Sequence, residues 1–341
     1  MKQLILLISA LLLLSQCGEY KKLALGRDER IVTFCSDSIW PEIEDTLRSA
    51  VEYTIRTPQE EKIFFIGKTS PKDFESYRFS KNICLIASLD QNDESTKFIK
   101  KFISEEALIL INNDQKYFFP IKNHLAQRQL FLMIVAPTKE KLIDYIAANR
   151  DRIYLTFDKA FIDRQNEQLY YKAEEKELSD ELMEKYDFSF RLPNDFKIIL
   201  EDKQRNVIQI GKSNPYRWIT IYWRDKGFKS LLDKEWAWKT RSWIGNRIMQ
   251  DTYIEKRYLT TRNMYWDDRF VNNLRGLWAH DKKAMGGPFS VFYFYDGVSD
   301  RIFFIDLSIW APGEYKNVYL RQMELIASTF ESRPIKSKNN D

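Results

Sequence analysis

The sequence predicts an α+β protein: two mixed α/β, sandwich-like domains whose sheets are covered by helices, joined by a long charged helical segment. Three observations carry this. Residues 30–150 alternate short β-rich runs with helical patterns, as an α/β layer does. Residues 187–333 read as strands, a helix, more strands and a closing helix. Composition also changes between the two halves. All tryptophans except Trp40 lie at or beyond Trp218, and the segment from Asp187 onward is net basic while the rest is slightly acidic. A chain of 341 residues suits two domains of roughly 100–200 residues each.

The first strand is expected at 31–35. Ile43, Leu47, Val51 and Ile55 then recur every fourth residue, one face of a helix, with Ser38 as its cap and Pro41 in its first turn. Strands are expected at 62–67, 82–89, 107–112, 117–120 and 130–136, with short helices at 70–77 and 94–103. Thr138 opens a helical region that runs to Tyr171 or beyond. The densely charged stretch 172–184 reads as a solvated helix between domains, so 151–186 is the expected connector. In the second half, strands are expected at 188–192, 196–200, 207–210, 218–223 and 253–260, with a helix at 231–250. Three antiparallel strands follow at 270–278, 289–295 and 301–310, the last two joined by a turn at Asp296 and Gly297. A helix over 315–330 closes the fold, and residues 334–341 form a disordered tail.

The N-terminus carries an address. Lys2 precedes an apolar run over 4–14, and Cys17 follows. About 11 apolar residues make only about 16 Å of helix, too short to span a bilayer core of roughly 30 Å. Residues 1–16 are therefore read as a secretory signal. Leu14, Ser15, Gln16 and Cys17 resemble the lipobox of bacterial lipoproteins, which implies acyl chains such as palmitate on Cys17 and a tether over 17–29. Gln16 departs from that pattern, where a small residue is usual. The expected location is the bacterial cell envelope, with the chain anchored to a membrane through Cys17, the outer membrane being favoured. Cys35 and Cys84 lie in apolar strand-like runs. Buried free thiols are the leading reading, and a disulfide in an oxidising envelope is the alternative.

Chemistry is sparse. The net charge of +4 comes from 53 basic and 49 acidic side chains, too even a balance to suggest a nucleic-acid partner. His124 and His280 are isolated, and no Cys-x-x-Cys occurs, so no metal site or cofactor is expected. There is no Gly-x-Ser-x-Gly elbow and no glycine-rich nucleotide loop. Paired acids such as Asp267 with Asp268, or Asp300 with Asp306, are a weak signal for glycoside hydrolysis. One local cluster stands out. Arg275 and Trp278 offer a cation and an aromatic face, and Gly286, Gly287, Pro288 and Phe289 suggest a sharp turn leading into a strand. With Trp218, Tyr222, Trp236, Trp238 and Trp310 these residues are the candidate ligand-binding set, an aromatic groove for sugars or peptides. The competing reading is that Trp278 and Phe289 fill the core while Arg275 makes an ordinary salt bridge.

The same cluster carries a resemblance. Cys17 at the end of an export signal, Leu192 with Pro193, Arg275–Gly276–Leu277–Trp278, Met285–Gly286–Gly287–Pro288–Phe289, Trp310–Ala311–Pro312 and Leu320–Arg321–Gln322–Met323–Glu324 occur in an order that resembles an uncharacterised lipoprotein family, the domain of unknown function 4837. The segment from Arg275 to Glu324 is the specific part. A basic pair is expected before the final helix, and this chain has Lys316 and Asn317 there. The resemblance implies localisation and architecture and transfers no catalytic residues.

The functional expectation is a lipid-anchored envelope protein, most simply a non-enzymatic binding or structural module with an envelope protein or glycan partner. One rival is an envelope hydrolase acting on glycan or peptide through Asp281, Asp296 or Asp306, with Arg275 holding substrate. A subunit of an envelope complex is a third reading.

Overall fold

The computed structural model describes residues 21–226 and 232–335. The signal segment, Cys17 and most of the tail lie outside the described residues. The chain divides into two units, one built from the residues up to Tyr53 with Phe64–Phe161, the other from Thr54–Ile63 with Ile162 onward. Both helices and sheets contribute to each, so the protein is α+β.

The first unit begins with β1 (Arg30–Cys35) and α1 (Trp40–Val51). The chain then gives a hairpin, β2 (Thr54–Arg56) and β3 (Glu60–Lys62), to the second unit. It resumes with β4 (Phe65–Thr69), α2 (Phe74–Tyr77), β5 (Asn82–Ser88), α3 (Glu94–Lys100), α4 (Glu105–Asn112), β6 (Phe118–Lys122), β7 (Leu130–Ala136) and α5 (Lys139–Ala148). The sheet order is β4-β1-β5-β7-β6, parallel throughout except for β6 against β7. Every residue of β5 and β7 is buried, which is why both read as unbroken apolar runs. One face packs Phe34, Leu85 and Phe131 against Phe74, Phe98 and Phe102. The helices α1 and α5 bury Ile43, Leu47, Leu142 and Ile146.

Three local expectations change here. Residues 107–112 lie in α4, not a strand. Ser104 accepts the Ala107 N–H at 3.2 Å and Glu105 and Glu106 occupy the first turn, so capping decides a run whose apolarity alone suits either element. The cap of α1 is Ile39, without a side-chain bond, and the Ser38 hydroxyl instead meets that of Ser36 at 3.0 Å. The single strand expected over 62–67 is two, β3 and β4, each in a different sheet.

Residues 150–186 form two helices, α6 (Arg150–Tyr170) and α7 (Lys176–Tyr186). The division between units falls within α6. The second unit continues with β8 (Phe188–Ser189), β9 (Lys197–Asp202), β10 (Val207–Lys212), β11 (Tyr216–Asp225), α8 (Lys234–Arg247), β12 (Thr252–Ile254), β13 (Thr260–Trp266), β14 (Arg269–His280), β15 (Gly286–Asp296), β16 (Arg301–Trp310), α9 (Asn317–Ser328) and β17 (Glu331–Ser332). The strand expected at 253–260 is thus broken by a 3₁₀ turn at Lys256–Tyr258 between β12 and β13.

The large sheet is antiparallel, in the order β12-β14-β15-β16-β11-β10-β9, with β13 also on β14. Its strands alternate, except that a register shift between β9 and β10 sends Ile198 and Leu200 to opposite faces. Ile219, Ile221, Phe303, Ile305, Leu307, Phe292 and Phe294 meet α7 and α9 through Leu182, Leu320, Met323 and Ile326. Trp218, Tyr222, Phe289, Val291, Tyr293 and Phe304 meet α8 through Ala237, Ile244 and Ile248. No helix among the described residues is long and apolar enough to cross a membrane.

Candidate functional site

The local cluster singled out from the sequence, Arg275 and Trp278 with Gly286, Gly287, Pro288 and Phe289, lies on two paired strands, β14 and β15. Arg275 stands opposite Ser290, Trp278 opposite Gly287 and Gly276 opposite Phe289. Gly286, Gly287 and Pro288 therefore lie inside β15, not in a sharp turn. Arg275 and Trp278 are three apart on one strand, so the strand's period of two sends them to opposite faces. Arg275 points to α9, where its Nε and Nη2 donate to Glu324 at 2.8 and 2.5 Å. The Ser290 hydroxyl donates to the same carboxylate at 2.7 Å, and Arg262 lies 3.6 Å away. Burial raises the Glu324 carboxyl, but Arg275, Arg262 and the hydrogen bonds outweigh it and hold the group below its usual range. Trp278 and Phe289 face α8 and are buried, as is Pro288. A Cβ at Gly287 would stand 2.0 Å from the Ile309 carbonyl oxygen, so glycine is what lets this backbone close. The cluster thus separates into a guanidinium–carboxylate lock on one face and packed rings on the other.

Beneath α8 Asp306, one of the acids named from the sequence, meets Arg241, which was not singled out. Arg241 Nε is 2.7 Å from Asp306 Oδ2, and both side chains are fully buried. Arg241 Nη2 donates to the Ser308 hydroxyl at 3.1 Å, and Ser308 donates to Asp306 Oδ1 at 3.0 Å. The guanidinium sits 4.9 Å from the centre of the Phe289 ring. Burial pushes the Asp306 carboxyl up and Arg241 pulls it back. The sequence does carry a signal for this pair. Ala237, Arg241, Ile244 and Ile248 form one helical stripe with a cation in it, and Asp306 interrupts an apolar strand.

The other acids named from the sequence are also placed. Asp296 is buried, and its Oδ2 accepts from the Ser299 N–H at 3.0 Å, from the Ser299 hydroxyl at 2.5 Å and from the Ser332 hydroxyl at 2.7 Å. Arg269 lies 3.3 Å from its other oxygen. These bonds pin the 296–299 turn to β17. Asp296, Arg269, Phe270, Asn272 and Tyr295 line an open cleft of about 650 Å³. Asp281 is exposed. Among the described residues no group of three or more His, Cys, Asp or Glu is placed to hold a metal ion. His124 packs 4.5 Å from Phe131, and burial, with Lys21 nearby, pulls its pKa down. His280 Nδ1 accepts the Lys282 N–H at 3.1 Å.

The aromatic residues on the α8 face are not uniformly buried. Trp218, Tyr222, Trp236, Trp238 and Trp310 are half-buried. At one end of β11 and β16 three rings gather. Tyr216 stacks on Trp218 at 5.7 Å with an interplanar angle of 18°, and Trp310 lies 5.4 Å from Tyr216. Tyr216 is 44% exposed. Elsewhere Lys256 Nζ sits 3.7 Å over Trp238. The three-ring group offers flat apolar faces of the kind that stack on sugar rings or aromatic side chains.

The order of strands and helices in the second unit, with the Arg275–Glu324 lock inside it, coincides with a family match: the model of the domain of unknown function (DUF4837) aligns with residues 175–329. Residues 175–329 are a DUF4837 domain. A second domain of unknown function, DUF8532, matches residues 24–170. No curated protein matches the sequence. Among solved structures, the Ran-binding protein Mog1p of Saccharomyces cerevisiae aligns at 10% identity over 43% of this chain and 91% of its own, with a TM-score of 0.31. LpqN of Mycobacterium tuberculosis, described as involved in cell envelope biogenesis, aligns at 10% identity over 43% of this chain and 83% of its own, with a TM-score of 0.28. Within the matched residues, the segment from Arg275 to Glu324 holds the contacts that lock β14 and β15 to α9 and close β15 against β16.

Proposed function

We propose that this is a lipid-anchored cell-envelope protein with a non-enzymatic binding or structural role. The observation that carries the reading is the short apolar run over 4–14 ending at Cys17. Several acyl chains on one residue anchor stably, since each buried CH₂ is worth about 0.8 kcal/mol. The non-enzymatic part is supported by the use the fold makes of its candidate acids. Asp306 is sealed under α8 with Arg241, Asp296 is bonded to Ser299 and Ser332, and Arg275 is held by Glu324. The binding role belongs to the three-ring group of Tyr216, Trp218 and Trp310, and the ligand class that suits it is a glycan.

The anchor is tested by metabolic labelling with radioactive palmitate in a bacterial host, comparing the native chain with Cys17→Ala. The expected result is label and membrane retention for the native chain and loss of both in the variant. An unlabelled native chain sinks the proposal. The glycan reading is tested by tryptophan fluorescence with soluble peptidoglycan fragments. A titration that Tyr216→Ala abolishes supports it, and a flat response from the native chain rejects it.

A further inference from the structure

We infer that the amino edge of the first unit's sheet faces the membrane and rests on an anionic lipid surface through Leu23, Leu25 and the basic side chains around them. This rests on the lipid-anchor reading and goes beyond it, because it names which face of the unit meets the lipid.

The argument starts where the described chain begins. Residues 21–25 are pinned to the unit by backbone bonds. Gln127 N donates to Lys22 O at 2.8 Å, Ala24 N to Gln127 O at 2.9 Å and Leu25 N to Phe79 O at 2.7 Å. Lys21 Nζ donates to the carbonyls of Asn123 and His124, each at 2.8 Å. The segments that hold this strap, 78–81 and 123–129, lead directly into β5 and β7. The strap therefore crosses the amino ends of the parallel strands.

Cys17 precedes Lys21 by four residues. At no more than about 3.5 Å per residue, an acylated Cys17 lies within about 14 Å of this edge. A lipid on Cys17 thus brings the amino edge to the headgroups, whatever path the tether takes.

The edge has the chemistry such a surface needs. Leu23 and Leu25 are two apart in extended chain and share one side, and they are 49% and 65% exposed. Lys22 beside them is exposed, and Arg78 lies 4.6 Å over the Phe79 ring. The acids nearby already face cations: Asp28 meets Lys81 at 2.6 Å, Glu75 meets Arg78 at 3.0 Å and Glu29 meets Arg27 at 3.7 Å. Lysines and arginines next to an anionic leaflet are attracted to it, and apolar side chains among them enter the interface.

The test uses the full chain reconstituted into vesicles of phosphatidylglycerol and phosphatidylcholine whose headgroups carry nitroxide quenchers. A thiol-reactive fluorophore is placed at Leu25→Cys or, on the carboxyl edge, at Asn92→Cys. Cys35 and Cys84 are buried and leave the new thiol as the target. Quenching severalfold stronger at position 25 than at 92 is expected, and Lys22→Glu should weaken it on anionic vesicles but not on phosphatidylcholine alone. Equal or stronger quenching at 92 overturns the orientation, and a Lys22→Glu effect independent of lipid charge overturns the anionic preference. The palmitate experiment separates the two ideas. A labelled chain with no preference for position 25 defeats this inference alone, whereas an unlabelled chain defeats the anchor beneath it.

Discussion

Glu61 accepts the backbone N–H groups of Lys316 and Asn317 at 2.8 and 2.7 Å, closing the start of α9 from a hairpin 255 residues earlier in the chain. The helix has no side-chain cap of its own, because its N-cap residue is Lys316. A buried carboxylate at this position satisfies orphan donors and lies at the positive end of the helix dipole. The hairpin is tied further by Tyr315, whose hydroxyl donates to Lys62 O at 2.5 Å. Residues 54–63 thus serve the DUF4837 domain although they precede it by more than a hundred positions.

Glu61→Ala is expected to cost about 1–2 kcal/mol, the loss of a cap with its buried N–H groups left unpaired. Glu61→Gln, which keeps an acceptor without the charge, should cost less. Urea unfolding monitored by tryptophan fluorescence checks this. Glu60→Ala, an exposed neighbour, serves as the comparison and should shift the midpoint little.

The Arg241–Asp306 pair makes a different forecast. Removing one partner leaves the other charged and buried, so Arg241→Met alone should destabilise by about 3–5 kcal/mol. The double change Arg241→Met with Asp306→Leu removes both charges and should recover most of that loss. Chemical denaturation of the two variants decides it. A double variant no more stable than Arg241→Met would mean that the pair is not the unit of stability.

The sequence revealed this architecture unevenly, for physical reasons. The apolar runs of β5, β7, β15 and β16 were legible because a strand buried on both faces has little polar interruption. The alternation of Trp218, Thr220 and Tyr222 with Ile219, Ile221 and Trp223 correctly gave two faces. Residues 107–112 misled, since an apolar run of six fits strand or helix until Ser104 is recognised as a cap. Arg275 and Trp278 seemed to belong together because they are close in sequence, yet a strand separates residues three apart. The partners that matter to them, Glu324 and Gly287, come from other elements. Glu61 had no local signal at all, because what it caps lies at the far end of the chain.

The Glu324 lock gives a pH prediction. Its carboxyl is depressed in the folded state, so it contributes stability above the unfolded value of about 4.3. That contribution is lost as pH falls through the still lower folded value. The native chain should therefore show a falling urea midpoint on acidification below about pH 4. Glu324→Gln should be less stable at neutral pH and show a shallower acid limb. Parallel acid limbs in the two proteins would assign the loss to other carboxylates.

The thiols offer a further check. Cys35 stands opposite Ile86, while Cys84 stands opposite Thr33, so the two are out of step by two residues on adjacent strands. Both are unpaired and buried, and burial pushes the Cys35 thiol up to about 12 and raises Cys84 as well. A thiol held protonated in the core is a poor nucleophile. Maleimide should leave both unmodified in the native chain and modify both in urea without reductant, as read by peptide mass. Modification in urea only after reduction would show a disulfide instead.

Gly287 tests whether β15 depends on its missing side chain. An added Cβ would meet the Ile309 carbonyl oxygen at 2.0 Å, a backbone atom that cannot swing aside. Gly287→Ala must therefore move β15 against β16 or part of the core beneath α8, at about 1–3 kcal/mol for overpacking. Gly297→Ala, whose Cβ would come no nearer than 3.9 Å to Tyr295, should be nearly neutral. Thermal unfolding of the two variants separates them by several degrees if the strand contact is as close as the backbone indicates. Equal melting temperatures would mean that β15 and β16 can part at this end without loss, and the Gly286–Gly287–Pro288 signature would then need a reason other than close packing.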